Sequence, residues 1–310
     1  MRTLVIGSRR SKLALVQSRK VMEILKAASG GLNVQIRHIV TRGDRIQHVA
    51  LSKAGGKGLF VKEIERALLD GSIDLAVHSM KDMPADLPEG LEIGGIPARE
   101  DPGDVLISRN GGDLDTLAPG AIIGTSSLRR AAQILYKRPD LKIKTLRGNV
   151  DTRLSKLKSG AFDAIVLARA GLNRLERKEQ AISIPFAVML PAVGQGALAI
   201  ECRSGDAELK ALLKKISDEK TWRTVLAERA FLKKLEGGCQ VPIAAHCVLR
   251  DDGCFSLDGL VASPDGQTLL RTERDGRNPE KLGYLVAESL LNRGADKILA
   301  AFRPSEPGRE

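Results

Sequence analysis

The sequence predicts two similarly built α/β domains followed by a small α+β domain. Strand-like and helix-like patterns alternate through the first two-thirds of the chain, which implies parallel strands joined by helices. The pattern then recurs in order. Ile6-Gly7-Ser8 is echoed by Ile123-Gly124-Thr125, Arg42-Gly43-Asp44 by Arg147-Gly148-Asn149, and Gly71-Ser72-Ile73-Asp74 by Gly160-Ala161-Phe162-Asp163. Beyond these echoes the pattern changes to strands followed by a helix, the mark of a separate α+β unit.

In the first domain, residues 4–7 read as a short buried strand and residues 12–28 have helical periodicity. Residues 34–40 form a second strand, 61–69 a helix and 73–78 a third strand. Residues 98–104 are polar, contain Pro102-Gly103 and mark a boundary. A second crossing falls at 190–196, after which 197–201 reads as a strand returning to the first domain. The expected division is 1–98 with 197–215, then 103–191, then 219–310. Two crossings make a hinged pair of lobes with a cleft between them. In the third domain, a helix over 219–235 precedes strands near 242–249, 254–262 and 267–273 and a helix over 279–292.

A chain of 310 residues, 43% hydrophobic and 28% charged, suits a soluble protein of two or three domains. No apolar run is long enough to span a bilayer, so no membrane partner is expected. The N-terminal apolar run is too short for a signal peptide and passes directly into Arg9 and Arg10. A cytoplasmic location is the expectation. The cysteines are Cys202, Cys239, Cys247 and Cys254, with no C-x-x-C pair and no zinc-ligand spacing. Free thiols and no metal are expected.

The net charge of +11 calls for an anionic partner. Nucleic acid is the first candidate, but six Phe, two Tyr and one Trp do not make a stacking platform. No helix-turn-helix or finger pattern is present either. A polycarboxylate ligand explains the charge equally well, and no nucleic-acid partner is expected.

Arginines sit where strands hand over to helices: Arg9 and Arg10, then Arg129 and Arg130 after Gly124-Thr125-Ser126-Ser127, then Arg147, with Arg153 on the helix beyond. Ligands of open α/β sheets bind at these carboxyl ends. Helix N-termini offer free N–H groups to anions, and guanidinium forks match carboxylates. Each arginine alone reads as a solvated charge; their repeated placement points to a polyanion-binding cleft.

The loop Lys53-Ala54-Gly55-Gly56-Lys57-Gly58-Leu59-Phe60 is not a P-loop. It reads as a mobile lid with Lys57 and Phe60, or as a flexible surface loop. Lys81 and Asp82 follow the 73–78 strand, where a carboxylate can stabilise positive charge or move protons; a local surface pair is the plainer reading. Gly237 and Gly238 suit a helix C-terminus and leave Cys239 on an open turn. Composition alone makes Cys239 a structural thiol.

Taken together these strings resemble the hydroxymethylbilane synthase (porphobilinogen deaminase) family. The carriers are Gly7-Ser8-Arg9-Arg10-Ser11, Thr41-Arg42-Gly43-Asp44, Gly55-Gly56-Lys57-Gly58-Leu59-Phe60 and His78-Ser79-Met80-Lys81-Asp82. Further on come Gly124-Thr125-Ser126-Ser127-Leu128-Arg129-Arg130, Leu146-Arg147-Gly148-Asn149, Ala192-Val193-Gly194-Gln195-Gly196-Ala197 and Glu236-Gly237-Gly238-Cys239. The resemblance implies two periplasmic-binding-protein-like lobes, with mostly parallel sheets flanked by helices, and the small α+β domain. It implies a dipyrromethane cofactor in thioether linkage to Cys239 and no metal. It further implies that four porphobilinogen units are added head to tail with loss of ammonia and that hydrolysis releases the linear tetrapyrrole. Asp82 matches the catalytic aspartate. Arg9, Arg129, Arg130, Arg147 and Arg153 match carboxylate-binding arginines, and Ser11, Lys53, Lys81, Thr125, Ser127 and Gln195 match positions lining cofactor or substrate. Monomers are the family expectation.

The sequence departs from the family pattern at Lys12, where many members have proline, and at Arg169, where a small residue is usual. Asn173-Arg174-Leu175-Glu176 also lacks a glycine often found there, and the stretch 176–188 is loosely matched. Two other readings compete. A two-lobed carboxylate binder without catalysis leaves the third domain and Cys239 unexplained, and a nucleic-acid binder would show steep salt dependence.

Overall fold

The computed structural model describes residues 3–41, 61–236 and 241–302. In chain order it runs β1 (Thr3–Ser8), α1 (Lys12–Ala28), β2 (Asn33–His38), α2 (Lys62–Leu69), β3 (Leu75–Ser79), a 3-10 turn (Met80–Asp82) and β4 (Leu91–Gly95). Next come β5 (Asp104–Ser108), β6 (Ile122–Gly124), α3 (Leu128–Lys137), β7 (Lys142–Lys144), α4 (Val150–Lys158), β8 (Ala164–Ala168), α5 (Arg169–Arg174) and β9 (Ile182–Ser183). Then follow β10 (Leu198–Arg203), α6 (Ala207–Lys215), α7 (Glu219–Lys234), β11 (Ile243–Leu249), β12 (Phe255–Ala262), β13 (Leu269–Gly276), α8 (Pro279–Leu291) and α9 (Ala295–Ala300).

Two five-stranded sheets share one plan. Their orders are β2-β1-β3-β10-β4 and β7-β6-β8-β5-β9. In each, four strands run one way and one runs against them: β10 in the first sheet, β5 in the second. The inverted strands are those that enter after a crossing between sheets. A strand arriving from the crossing starts where its neighbours end, so it must run the other way.

The internal echoes are structural equivalences. The Asp74 carboxylate accepts from the Val5 N–H at 2.8 Å, and the Asp74 N–H donates back to Val5 O at 2.9 Å. Asp163 repeats both bonds with Ile122, at 2.7 and 2.9 Å. Gly71 and Gly160 precede them with φ of 76° and 80°, a conformation glycine adopts without cost. The Arg42 echo lies outside the described residues.

Both faces of each sheet are covered, as expected where strands are buried throughout. In the first sheet, Ile6, Leu75 and Val77 pack with Val21 and Leu25 of α1 and Leu213 of α6, while Ile64 and Leu68 of α2 pack with Ile73 on the other face. Each fully buried side chain of this size contributes about 1.5–3 kcal/mol. The third sheet is antiparallel, in the order β11-β12-β13. It packs through Phe255, Leu257 and Val261 on Phe231 of α7 and Leu282 and Val286 of α8. A Cβ on Gly283 would lie 2.4 Å from the Ala227 carbonyl oxygen, so α7 and α8 cross with their backbones in contact.

The elements expected from the sequence match to within a few residues at each end. β4, β5, β7, β9, α5, α6 and α9 are not among the expected elements. They are short, and their patterns merge with the flanking polar stretches.

The crossings and the third domain meet at one buried carboxylate. Glu228 on α7 accepts from both terminal nitrogens of Arg99 at 2.6 and 3.1 Å, from the Gly194 N–H at 2.7 Å and from the Cys247 N–H at 2.9 Å. Arg99 also donates through Nε to the Gln195 carbonyl oxygen at 2.9 Å.

Candidate active site

The carboxyl end of β3 delivers Lys81 and Asp82. Met80 and Met83 flank them and are each 2% exposed, packed with Val61, Ile96 and Val225. With those two side chains pinned in the core, Asp82 is left exposed and Lys81 half-exposed. Gln17 of α1 braces the turn from behind, donating to the Ser79 hydroxyl at 3.0 Å.

A chain of hydrogen bonds runs from Lys81 into the second lobe. Lys81 Nζ donates to Gln195 Oε1 at 3.4 Å, and Gln195 Nε2 donates to Pro102 O at 2.7 Å and Asp104 Oδ1 at 3.0 Å. Asp104 then receives Arg129 Nη1 at 2.6 Å and Arg130 Nη2 and Nε at 2.7 and 3.1 Å. Arg129 also donates to Leu190 O at 2.7 Å and Arg130 to Val166 O at 3.0 Å. All three nitrogens of Arg130 are therefore engaged within the protein.

The electrostatics follow from this crowding. Burial opposes the charge of Asp104, but Arg129 and Arg130 outweigh it and hold the carboxyl well below its usual range. Lys81 reaches solvent yet is packed among protein atoms. Desolvation first, and Arg130 second, push it down to about 8, against the pull of Asp82 and Asp104. Arg153 is pushed down to about 10 by desolvation, then by Arg130 and Arg147, with Asp82 opposing. Lys81, Arg129, Arg130, Arg147 and Arg153 thus share one field, opposed among the described residues mainly by Asp82 and Asp104. A site with that imbalance favours carboxylates.

Among the remaining expected residues that are described, Arg9, Ser11, Thr125 and Ser127 stand between a strand end and the next helix, and Arg153 lies on α4. Thr125 is buried, and its hydroxyl accepts from the Ser127 N–H at 3.2 Å. Ser127 caps α3 by accepting from Arg130 N, and Ser11 caps α1 by accepting from Ala14 N; each supplies one of the bonds a helix start lacks. Arg9 is half-buried beside the buried Ser8. Arg153 donates to Gly148 O at 2.8 Å. Lys53, Lys57, Phe60 and Cys239 lie outside the described residues. Helix α7, which precedes Cys239, places its left-handed residue at Glu236, with φ of 53°, one position before the expected glycines.

In the sequence Asp104 reads only as a boundary residue. The one signal was indirect: two adjacent buried arginines need a buried anion.

Residues 4–211 match the family model "Porphobilinogen deaminase, dipyromethane cofactor binding domain", and residues 222–292 match "Porphobilinogen deaminase, C-terminal domain". This chain belongs to the porphobilinogen deaminase family. It is 56% identical over 301 residues to the porphobilinogen deaminase of Bacillus subtilis, covering 96% of each chain. With that of Bacillus velezensis it shares 57% identity over 305 residues, covering 98% of this chain and 97% of the relative. Porphobilinogen deaminases are transferases, hydroxymethylbilane synthases of tetrapyrrole biosynthesis, and this protein is such an enzyme. Among solved structures, the periplasmic aliphatic sulphonate binding protein of Escherichia coli is similar at 14% identity and a TM-score of 0.41, covering 76% of this chain and 71% of that one. The fold class rests on the two sheets themselves. Among the described residues, no group of three or more His, Cys, Asp or Glu could hold a metal ion, and no helix is long and apolar enough to cross a membrane.

The cluster fits the cofactor this family binds. Each pyrrole carries an acetate and a propionate. The two desolvated cations, Lys81 and Arg153, are both pushed down by neighbouring positive charge, so a carboxylate placed there relieves repulsion already present in the fold.

Proposed function

We propose that the cleft condenses four porphobilinogen molecules head to tail on a dipyrromethane held by Cys239, with Asp82 as the catalytic carboxylate. The observation that carries this reading is the exposed Asp82 beside a cation-rich cluster from both sheets. The bound dipyrromethane supplies the pyrrole carbon to which the first unit is joined. Asp82, exposed on its anchored turn, holds the positive charge left when ammonia departs from an incoming pyrrole. Lys81, Arg147 and Arg153 bind acetate and propionate groups, joined by Arg9 and, from outside the described residues, Lys53. Arg129 and Arg130, paired with Asp104, add positive field at the site and hold the second lobe's strand ends in place. Ser11, Thr125 and Ser127 line the strand ends, and Gln195 ties Lys81 to Asp104. Lys57 and Phe60 belong to a lid over the cleft.

The same reading places residues 1–98 with 197–215 in one lobe, 103–191 in the other and 219–310 in the anchoring domain. It makes the enzyme a cytoplasmic monomer. Cys202, Cys247 and Cys254 are unpaired, which suits a reducing compartment. Among the described residues, the exposed large apolar side chains Leu69, Tyr136, Leu226, Val248 and Leu285 sit on five different elements.

Intact mass tests the anchor. The purified chain should be heavier by a two-pyrrole group, and Cys239→Ala should lack that increment. An unmodified, active wild-type chain would remove Cys239 from this role.

A further inference from the structure

One face of α7 grips the turn that carries Asp82. Arg229 Nη2 donates to the main-chain oxygens of Pro84 and Ala85, both at 2.9 Å, and Arg229 Nη1 lies 3.9 Å from Met80 Sδ. One helical turn further along the same face, Lys233 Nζ lies 2.8 Å from Asp86 Oδ1. Towards the start of the helix, Trp222 and Val225 pack with Met80 and Met83. The Asp82 turn is therefore held from within by two buried methionines and from the flank by a guanidinium of α7.

The same helix leads to the expected anchor. Cys239 comes four residues after Leu235, and four residues span at most about 14 Å. The seating of α7 thus bounds where a group on Cys239 can begin. A lysine ammonium could reach the two carbonyls from one nitrogen but would lose the second nitrogen that meets the sulfur, so it would replace the contact only in part.

We propose that Arg229 is a positioning residue, fixing the Asp82 turn against the helix that leads to Cys239 and so setting the carboxylate's place relative to the reacting pyrroles. This rests on the reading of Asp82 as catalytic carboxylate and Cys239 as anchor. Misplacement of a reacting group by about 1 Å can cost about a hundredfold in rate.

The test uses the full-length holoenzyme with porphobilinogen. Arg229→Gln should lower kcat about tenfold or more, with KM held within about twofold and the two-pyrrole mass increment retained. Arg229→Lys, which keeps the charge but not the fork, should fall between Arg229→Gln and wild type. Added to Asp82→Asn, Arg229→Gln should cause no further loss, because both act through one carboxylate. A wild-type kcat in Arg229→Gln, or full additivity of the two losses, overturns the proposal. If Arg229→Gln does not fold, Arg229→Lys decides: several-fold lower kcat at constant KM supports the role, and unchanged kcat overturns it. Failure of the underlying reading looks different. Asp82→Asn would then turn over normally, or Cys239→Ala would keep the mass increment, with Arg229 intact in both.

Discussion

Asp104 is completely buried and yet ionised, because two guanidiniums and a carboxamide converge on it. Removing it leaves Arg129 and Arg130 buried without a counter-charge. Asp104→Ala should cost about 3–5 kcal/mol, read as a lower urea midpoint at unchanged slope. Lys81 predicts a pH effect of definite sign. Its folded value of about 8 lies below the ordinary 10.5, so the unfolded chain binds more protons between those values. Stability should therefore rise with pH across that window, and the rise should vanish in Lys81→Met. Over the same range Lys81 loses the charge that, in the proposed role, attracts carboxylates. KM for porphobilinogen should climb above pH 8 in the wild type and stay flatter in Lys81→Arg. For Asp82→Asn, the exposed side chain predicts an unchanged melting temperature and an unchanged cofactor mass with severely reduced turnover. Near-normal turnover would take Asp82 out of the mechanism.

Two short backbone features govern how the elements end and cross. Helix α5 closes with Glu176 N–H donating to Asn173 O and Arg177 N–H to Leu172 O, both at 3.0 Å. This is the pairing of a helix C-terminus built around a left-handed residue, and Glu176 fills that place with φ of 52°. The glycine missing from the family pattern is missing where the backbone favours it. Glu176 is exposed, so Glu176→Gly should stabilise the protein by about 1 kcal/mol, measured by thermal melting. At the crossing, Gly196 has φ of 89°, and a Cβ there would lie 2.3 Å from the Glu100 carbonyl oxygen. Glu100 N–H also donates to Gly196 O at 3.1 Å, and Arg174 Nη2 donates to that same oxygen at 2.6 Å. Gly196→Ala cannot be absorbed by a side-chain shift. It should destabilise by at least about 1–3 kcal/mol and separate the two crossing segments.

At the scale of the molecule, Glu228 binds the third domain to both crossings at once. Its four acceptor bonds draw on Arg99, Gly194 and Cys247. The lobes and the third domain should therefore unfold in one calorimetric transition, and Glu228→Gln should split it or lower it by several degrees. A single unshifted transition in that variant would show that the coupling lies elsewhere. The two-lobed plan was legible in the sequence because its echoes carry physical roles. Gly71 and Gly160 turn the chain into a strand, and Asp74 and Asp163 pin that strand to its neighbour. The inverted strands were not legible. Strand direction depends on where a crossing delivers the chain, and β5 begins inside what reads as a polar boundary.

The sequence by itself determined the element pattern, the repeated lobe, the cation-rich strand ends and, through its ordered motifs, the family. Those properties reside in local periodicity, turn chemistry and residue type, which survive without knowledge of the fold. Only the tertiary structure decided which cations face a buried carboxylate. Arg129 and Arg130 on α3 carry no sign in the sequence of their shared counter-ion, Asp104, which folding brings to them from β5. Likewise Arg229 was one more basic residue on a helix, until packing set it against the carbonyls that follow Asp82. Charge can be counted along a chain, but its use depends on distance and burial, and these arise only when remote segments meet.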